Sequence, residues 1–447
     1  MTAQRLAWHL LSLLLALVIF STPLTLKLLI VERPYHNLYF EFTAFIIYLS
    51  DICAGLFVLA TAVWLIIRRV PWQFGPPVLT VPLLLLPIAS LLSSHWATDP
   101  ALAAHFATRL LLLWLLYLAI INLAPQRTVI QAGMGAVLVV QGLTAVLQFH
   151  RQHNLGLARL GEVPISLAGD FSVLTANSTN WLRGYGLTPH PNVLGGILAA
   201  LFMVVTARFL ETNGRWRWLW AGTAVIGLGG ILYSFSRSAW LGLLIATLIL
   251  FTWYMTQPGT SQPVLRFTLP IMIAGLLILA VFAWTQRQLL LSRLTRPANP
   301  QELRSLSERQ ALNQITIHLI AENPWLGLGA GQLSYHIDTY AGQLPDTEAQ
   351  PVHNMPLLLT AEFGIPGGLI WLGLMLAPLI IAGQLWHKGQ LDLWTLSLTL
   401  ALLVLAVTDL FDFYSWGWQQ GRMTRWLLFG LWAGAVTGKQ LSVIGNR

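Results

Sequence analysis

Apolar runs of about 20 residues recur along the whole of this 447-residue sequence, with short polar segments between them. Hydrophobic residues make up 56% of the chain and charged residues only 9%, whereas about a quarter of the residues in a soluble domain are charged. A helix of about 20 apolar residues is long enough to cross the hydrocarbon core of a bilayer. The composition therefore predicts an all-α integral membrane protein. We predict twelve transmembrane helices, at approximately residues 6–31, 40–67, 76–94, 101–123, 128–149, 187–210, 216–234, 238–256, 264–286, 354–384, 391–412 and 422–440.

The Lys and Arg residues of the short connections indicate which side of the membrane each connection faces. Eleven of them fall on one side and four on the other, or seven on the other side when residues 150–186 are included. Because positively charged connections are retained in the cytoplasm, we expect both termini to be cytoplasmic. The first apolar run has no small-residue cleavage site after it, so we interpret it as a retained helix and not as a signal peptide.

Two long polar segments interrupt the predicted helices, and both face outward in this topology. The larger one contains a stretch over 301–321 whose alternation of apolar and charged residues predicts an amphipathic helix that lies on the membrane surface or caps a cavity. Five parts follow from this division: helices 1–5 over 1–149, an outer loop over 150–186, helices 6–9 over 187–286, a large outer loop over 287–353, and helices 10–12 over 354–447.

Charge and cysteine content narrow the class of function. The net charge is +8, which loop topology and anionic lipid head groups explain. Runs of Lys and Arg interleaved with aromatic residues are absent from the sequence, so nucleic-acid binding is not expected. The single cysteine, Cys53, can form neither an intrachain disulfide nor a cysteine-based metal site. No cluster of acidic residues is typical of a magnesium site, and we expect no metal and no cofactor.

Four segments at the predicted outer surface are unusually polar for a membrane protein. They are 181–192, 234–238, 323–331 and 351–354, the last of which runs into 358–368. If the topology is correct, all of them meet at the outer leaflet.

In their order and residues these segments resemble the O-antigen ligase and O-antigen polymerase superfamily of bacterial envelope glycosyltransferases. The resemblance covers most of residues 180–370 by motif and the whole chain by the number of spans, but it does not separate ligases from polymerases. The elements are Arg183 followed by His190-Pro191-Asn192, then Ser234-Phe-Ser236-Arg237, then Asn323-Pro-Trp-Leu-Gly-Leu-Gly329, and finally His353-Asn354 followed by Ala361-Glu362-Phe-Gly364.

The resemblance implies a membrane-embedded glycosyltransferase of the GT-C type, acting in lipopolysaccharide or other envelope polysaccharide biosynthesis. The implied donor is a glycan on an undecaprenyl-pyrophosphate carrier, and the implied reaction is inverting and independent of metal ions. The implied acceptor is a sugar hydroxyl, which lies on lipid A–core in the ligases and on another repeat unit in the polymerases. The implied location is the outer face of the bacterial cytoplasmic membrane.

The chemistry of such a transfer assigns roles to three residues. A lipid pyrophosphate gains negative charge as it leaves, and the planar guanidinium groups of Arg183 and Arg237 suit its oxygens. The imidazole of His353 titrates near neutrality and is the candidate general base. Supporting roles in the same segments are predicted for His190, Asn192, Ser236, Asn354 and Glu362.

Each assignment has a plainer alternative that the sequence leaves open. Arg237 can be an interfacial anchor, Arg183 a loop salt bridge, and His353 a capping residue. His190 more naturally shapes the turn with the proline that follows it. Glu362 either orients His353 or a neighbouring arginine, or only lies near the interface.

Four further charged side chains are expected to be structural. Asp51 and Arg109 lie inside predicted spans, where an unpaired charge is costly, and an ion pair between them is the preferred interpretation. Asp409 and Asp412 lie near the outer end of the eleventh span, where they can hold Arg422 or Arg425, or touch the acceptor.

Two rival functions remain at this point. A transporter or flippase of lipid-linked sugars would carry polar groups through the depth of the bilayer, often with inverted repeats, whereas the polar residues here gather on one side. A non-catalytic envelope assembly protein would leave the order of the arginine and histidine motifs unexplained.

Overall fold

The computed structural model describes residues 3–35, 38, 40–123, 126–167, 171–176, 179–257, 275–294, 300–340 and 350–444. Helices make up most of these residues, with two short β-hairpins between them. The helices are α1 (Ala3–Ser21), α2 (Phe40–Thr43), α3 (Leu49–Arg68), α4 (Pro77–Ser93), α5 (Pro100–Leu123), α6 (Arg127–Arg151), α7 (Pro191–Glu211), α8 (Trp216–Tyr233), α9 (Arg237–Met255), α10 (Gly275–Thr285), α11 (Arg287–Leu294), α12 (Pro300–Glu322), α13 (Leu333–Asp338), α14 (Met355–His387), α15 (Leu393–Asp409), α16 (Tyr414–Gly417) and α17 (Gln419–Ile444). The strands are β1 (Lys27–Val31), β2 (Phe45–Tyr48), β3 (Val173–Ala176) and β4 (Thr179–Leu182).

Helices lie within all twelve predicted spans, although residues 264–274 of the ninth span are outside the described residues. Six helices of the described chain are long and apolar enough to cross a membrane, namely α3, α5, α6, α7, α9 and α14, and four more are apolar but shorter. The chain is therefore a helical integral membrane protein, as predicted. The number of twelve spans and the orientation of the helices stay predictions.

The first two predicted spans are wrong at their facing ends. Helix α1 ends at Ser21, and β1 and β2 form an antiparallel hairpin in which Lys27 lies opposite Tyr48. Pro23 disfavours helical backbone at the residue before it, and the hydroxyl of Thr22 bonds the carbonyl of Val18 at 2.7 Å at the helix end. Hydropathy alone does not separate an apolar strand from an apolar helix.

The helix predicted over 301–321 is confirmed as α12, which ends at Glu322 before the Asn323-Pro324 pair. Its apolar residues Leu312, Ile315 and Leu319 are buried, whereas Ile317 is exposed. The helix contacts α13 and α14. Because α14 begins two residues after His353, α12 packs against the helix that this histidine precedes.

Helix α7 is the centre of the fold and contacts α6, α8, α9, α15 and α17. Most of its residues are buried. Two glycines near its start allow close packing, because a Cβ at Gly195 would lie 2.6 Å from Ser234 Oγ. A Cβ at Gly196 would meet the hydroxyl of Tyr414. The start of α7, the α8–α9 turn and the segment before α17 are thereby held together.

Candidate active site

Arg183 lies in the segment between β4 and α7, and its side chain is almost completely buried at 4% exposure. Its Nε donates to the carbonyl of Ser234 at 2.7 Å, Nη1 donates to Ser172 Oγ at 2.7 Å, and Nη2 donates to Asn192 Oδ1 at 2.6 Å. These three neutral acceptors orient the guanidinium. The loop salt bridge that the sequence leaves open involves none of these three acceptors.

Asn192 joins this arginine to an acidic residue far away in the sequence. Its side-chain amide donates to Asp412 Oδ2 at 2.8 Å, while its carbonyl oxygen accepts from Arg183. Asp412 is 6% exposed and also accepts from the backbone N–H of Phe413 at 2.8 Å. The amide therefore aligns a buried cation and a buried carboxylate on either side of the first turn of α7.

His190 caps the N-terminus of α7, as the turn-shaping alternative predicts. Its Nδ1 accepts from the backbone N–H of Asn192 at 3.1 Å, and its own backbone is extended. Burial, together with the nearby charge of Arg183, lowers the pKa of His190 to about 3, although Asp412 opposes the shift. A neutral imidazole is what an acceptor of a backbone N–H requires.

His353 lies at the end of the predicted large loop, two residues before α14 begins. Its ring meets Phe413 edge to face, with the ring centres 5.1 Å apart. Its Nδ1 is buried and has no hydrogen-bond partner among the described residues. Burial and, to a lesser extent, the charge of Arg309 lower the pKa of His353 to about 4. The charge of Asp412 raises this pKa but does not outweigh them. The imidazole is therefore neutral at physiological pH, as a proton acceptor must be.

The sequence does not single out Arg309 as a functional residue, because it is one of several polar residues on an amphipathic helix. Its charge acts on both His353 and His190, so α12 brings this half-buried side chain close to both imidazoles. The only available signal was its place on a helix suspected of capping a cavity.

Arg237 begins α9 and is exposed, as an interfacial anchor or a ligand contact would be. It follows a tight turn in which Phe235 adopts a positive φ of 49°. Ser236 is 1% exposed and its backbone N–H donates to Ser234 Oγ at 3.3 Å. Because Arg183 bonds the Ser234 carbonyl, the turn ties the two predicted arginines together through the backbone.

Asn354 is a capping residue at the start of α14. Its Oδ1 accepts from the backbone N–H of Leu357 at 3.0 Å, and its amide donates to the carbonyl of Leu410 at 3.3 Å. The second contact ties the start of α14, next to His353, to the end of α15.

Glu362 lies in the third turn of α14 and is buried, at 3% exposure. Its Oε2 accepts from the indole N–H of Trp416 at 2.8 Å. The structure places it beside Trp416, where it lines the same cavity as Arg422. His353 lies nine positions earlier, outside the helix.

The two glycine-containing motifs, 323–329 and 361–364, are hydrogen-bonded to each other at a break in α14. The helix is non-helical at Phe363 and Gly364. The backbone N–H of Gly329 donates to the carbonyl of Glu362 at 2.8 Å, and the N–H of Ile365 donates to the carbonyl of Pro324 at 2.7 Å. A Cβ at Gly364 would lie 2.3 Å from the Trp325 carbonyl oxygen. The motifs thus build one structural unit and leave no room for a nucleotide.

The expected ion pairs are found in part. Arg109 binds Asp51 at 3.1 Å, as predicted. Arg425 binds Asp409 at 2.6 Å, with both side chains 1% exposed. Asp412 instead binds Asn192, so among the described residues only Asp409 of these two acidic residues forms an ion pair with an arginine. The structural role that the sequence favours is correct for Asp409 and incomplete for Asp412.

The structure brings Arg183, His190, Asn192 and His353 together around Asp412, and it places Arg237 and Ser236 next to them on the α8–α9 turn. Residues 222–372 match the family model of O-antigen ligases. Over this region the chain is similar to the O-antigen ligase family. The predicted resemblance to the ligase and polymerase superfamily is thereby confirmed.

The matched region covers about a third of the chain. It contains Arg237, the locked glycine motifs, His353 and Glu362, whereas Arg183, Asn192 and Asp412 lie outside it. The structure joins the two groups in space. No curated protein matches the chain.

Proposed function

We propose that this protein transfers a glycan from an undecaprenyl-pyrophosphate carrier to a sugar hydroxyl at the outer face of the bacterial cytoplasmic membrane. The family supports glycan transfer of the ligase or polymerase type in general. The observation that carries the finer proposal is the buried Nδ1 of His353, which has no hydrogen-bond partner among the described residues and is subject to the charges of Asp412 and Arg309.

In the proposed step, the oxygen of the acceptor hydroxyl attacks the anomeric carbon of the donor. The carbon–oxygen bond to the carrier breaks, and the pyrophosphate leaves with its electron pair. Attack from the face opposite to the leaving group inverts the anomeric centre. The proton of the hydroxyl passes to the imidazole of His353, which later returns it to water.

A histidine with a pKa of about 4 is a weak base, and binding of the donor makes it a stronger one. A pyrophosphate bound next to the imidazole favours its charged form and raises its pKa towards neutrality. General bases work best when their pKa lies near the operating pH. The imidazole of His353 therefore becomes an effective base only when the donor is bound.

Three arginines have different roles in stabilising the leaving group. Arg237 is exposed and Arg309 is half-buried, so both are placed to contact pyrophosphate oxygens. Arg183 is buried and held by three neutral acceptors. It contributes its charge and fixes Asn192, which in turn positions Asp412. No residue in this scheme requires a metal ion.

The direct test uses the full chain in nanodiscs with a lipid-pyrophosphate-linked repeat unit and one of two acceptors. Lipid A–core as acceptor tests the ligase, and a second lipid-linked repeat unit tests the polymerase. Release of undecaprenyl pyrophosphate together with a joined glycan supports the proposal. Movement of the lipid-linked donor between leaflets without any new glycosidic bond would overturn it in favour of a flippase.

A further inference from the structure

A polar cleft lies between the N-terminal parts of α5, α14 and α17. The cleft is lined by Arg109, Arg422, His105 and Glu362, and by the aromatic rings of Phe106 and Trp418. None of these residues has a role in the transfer step proposed above.

Arg422 is the unusual member of this lining. It is 2% exposed, and its Nε and Nη1 have no hydrogen-bond partner among the described residues. Its guanidinium lies over the ring of Phe106 at 4.8 Å. In the described part of the chain it makes no ion pair within 4.0 Å.

The neighbouring charges are already engaged. Arg109 binds Asp51 at 3.1 Å, and the same carboxylate accepts from the amide of Gln419 at 2.5 Å. Glu362 accepts from Trp416 at 2.8 Å. A buried guanidinium is costly unless it is paired and fully hydrogen-bonded. Arg422 therefore presents N–H groups that an incoming anion can satisfy, in the planar geometry that suits a carboxylate or phosphate.

The rest of the lining suits a sugar. Aromatic rings offer flat apolar surfaces to the C–H faces of a pyranose, while a few fixed polar groups orient its hydroxyls, which is the usual composition of a small-molecule site. The Phe42 ring also lines the cleft and meets Trp418 at a ring-centre distance of 5.9 Å.

The cleft is next to His353. Pro351, two residues before the histidine, forms part of its wall. The Phe413 ring contacts both His353, with the ring centres 5.1 Å apart, and Phe42, with the ring centres 5.9 Å apart. One aromatic side chain thus connects the lining of the cleft with the proposed base.

We propose that this cleft is an acceptor subsite, which binds a saccharide carrying a carboxylate or phosphate group through Arg422. The assignment to the acceptor rests on the proposed function, whereas binding of the anionic sugar by Arg422 does not. An experiment that measures binding alone can therefore separate the two.

The test measures binding of small probes to the full chain in nanodiscs by saturation-transfer difference NMR. The probes are a disaccharide that contains glucuronic acid and its neutral counterpart that contains glucose. We expect the acidic probe to bind at least tenfold more tightly than the neutral one. We expect Arg422→Gln to remove that difference, and Arg422→Lys to retain part of it. Arg127→Gln, which alters an exposed arginine outside the cleft, serves as the matched control.

Two further measurements keep the proposal testable even if the Arg422→Gln variant fails to fold. Inorganic phosphate should displace the acidic probe from the unaltered protein, and His353→Ala should bind that probe as tightly as the unaltered protein does. Equal binding of the two probes, or undiminished preference in a folded Arg422→Gln variant, would overturn the subsite. Displacement of the probe by undecaprenyl pyrophosphate at a concentration at which inorganic phosphate does not displace it would overturn its assignment to the acceptor.

Discussion

The side-chain amide of Asn192 donates a 2.8 Å hydrogen bond to Asp412 across 220 positions of sequence. The other end of the same amide accepts from Arg183. One residue at the start of α7 thus connects a buried cation to the carboxylate that acts on His353. This link is the reason for assigning Asp412 a positioning role in the proposed transfer.

Asp412→Asn should slow transfer and displace its pH dependence. The carboxylate raises the pKa of His353 against the stronger effects of burial and Arg309. Its loss makes the imidazole harder to protonate, so the acid limb of kcat/KM should move to lower pH. We also expect kcat to fall about 10- to 100-fold, as for other positioning residues.

The measurement is the pH profile of kcat/KM for the Asp412→Asn and Asp412→Glu variants. The glutamate variant should return the acid limb towards its original position. A merely structural role would lower the rate of Asp412→Asn and leave the acid limb where it was.

The two predicted arginines should fail in different ways. Arg183→Gln removes a buried guanidinium with three hydrogen bonds, and we expect it to lose both activity and about 3 kcal/mol of stability or more. Arg237→Gln alters an exposed side chain, so it should lose activity with little change in the thermal unfolding midpoint. Thermal unfolding and transfer assays on both variants check this; equal loss of stability would contradict the assignment of Arg237 to the ligand.

The lock between the two glycine motifs predicts a large effect of a single methyl group. Gly364→Ala places a Cβ 2.3 Å from a carbonyl oxygen at a φ of +70°, and should cost about 3 kcal/mol or more. Gly389→Ala is the matched control, because Gly389 has a similar φ of +65° and no atom within 4 Å of the added Cβ. Equal unfolding midpoints for the two variants would show that the contact contributes nothing.

The buried pair of Arg425 and Asp409 should be far more sensitive than an exposed pair. Asp409→Asn leaves a guanidinium that is 1% exposed without its counterion, and removal of one partner of a buried pair costs about 3–5 kcal/mol. Arg127 binds Asp392 at 3.4 Å at the surface, and Arg127→Gln should cost about 1 kcal/mol or less. Thermal unfolding of both variants measures the contrast.

Local features of this protein are visible in its sequence, and contacts between distant segments are not. Apolar length predicts helices such as α7 and α14, and the order of the arginine and histidine motifs indicates the family. The hairpin of β1 and β2 is missed because apolar strands and apolar helices have the same hydropathy.

The sequence also does not predict the partners of the acidic residues Asp409 and Asp412. Asp409 lies in the last turn of α15 and Asp412 lies three residues after it, so helical periodicity no longer relates their directions. Asp409 points to Arg425 and Asp412 to Asn192. The effect of Arg309 on His353 likewise depends on how α12 packs against α14, which no local pattern specifies.

The central claim is that the imidazole of His353 accepts the proton of the acceptor hydroxyl. The most direct measurement is the rate of undecaprenyl pyrophosphate release by purified His353→Ala in nanodiscs, with acceptor present, compared with His318→Ala, an exposed histidine that pairs with Glu322 on α12. We predict a loss of about 100-fold or more for His353→Ala and an unchanged rate for His318→Ala. Full activity of a folded His353→Ala variant would contradict the account.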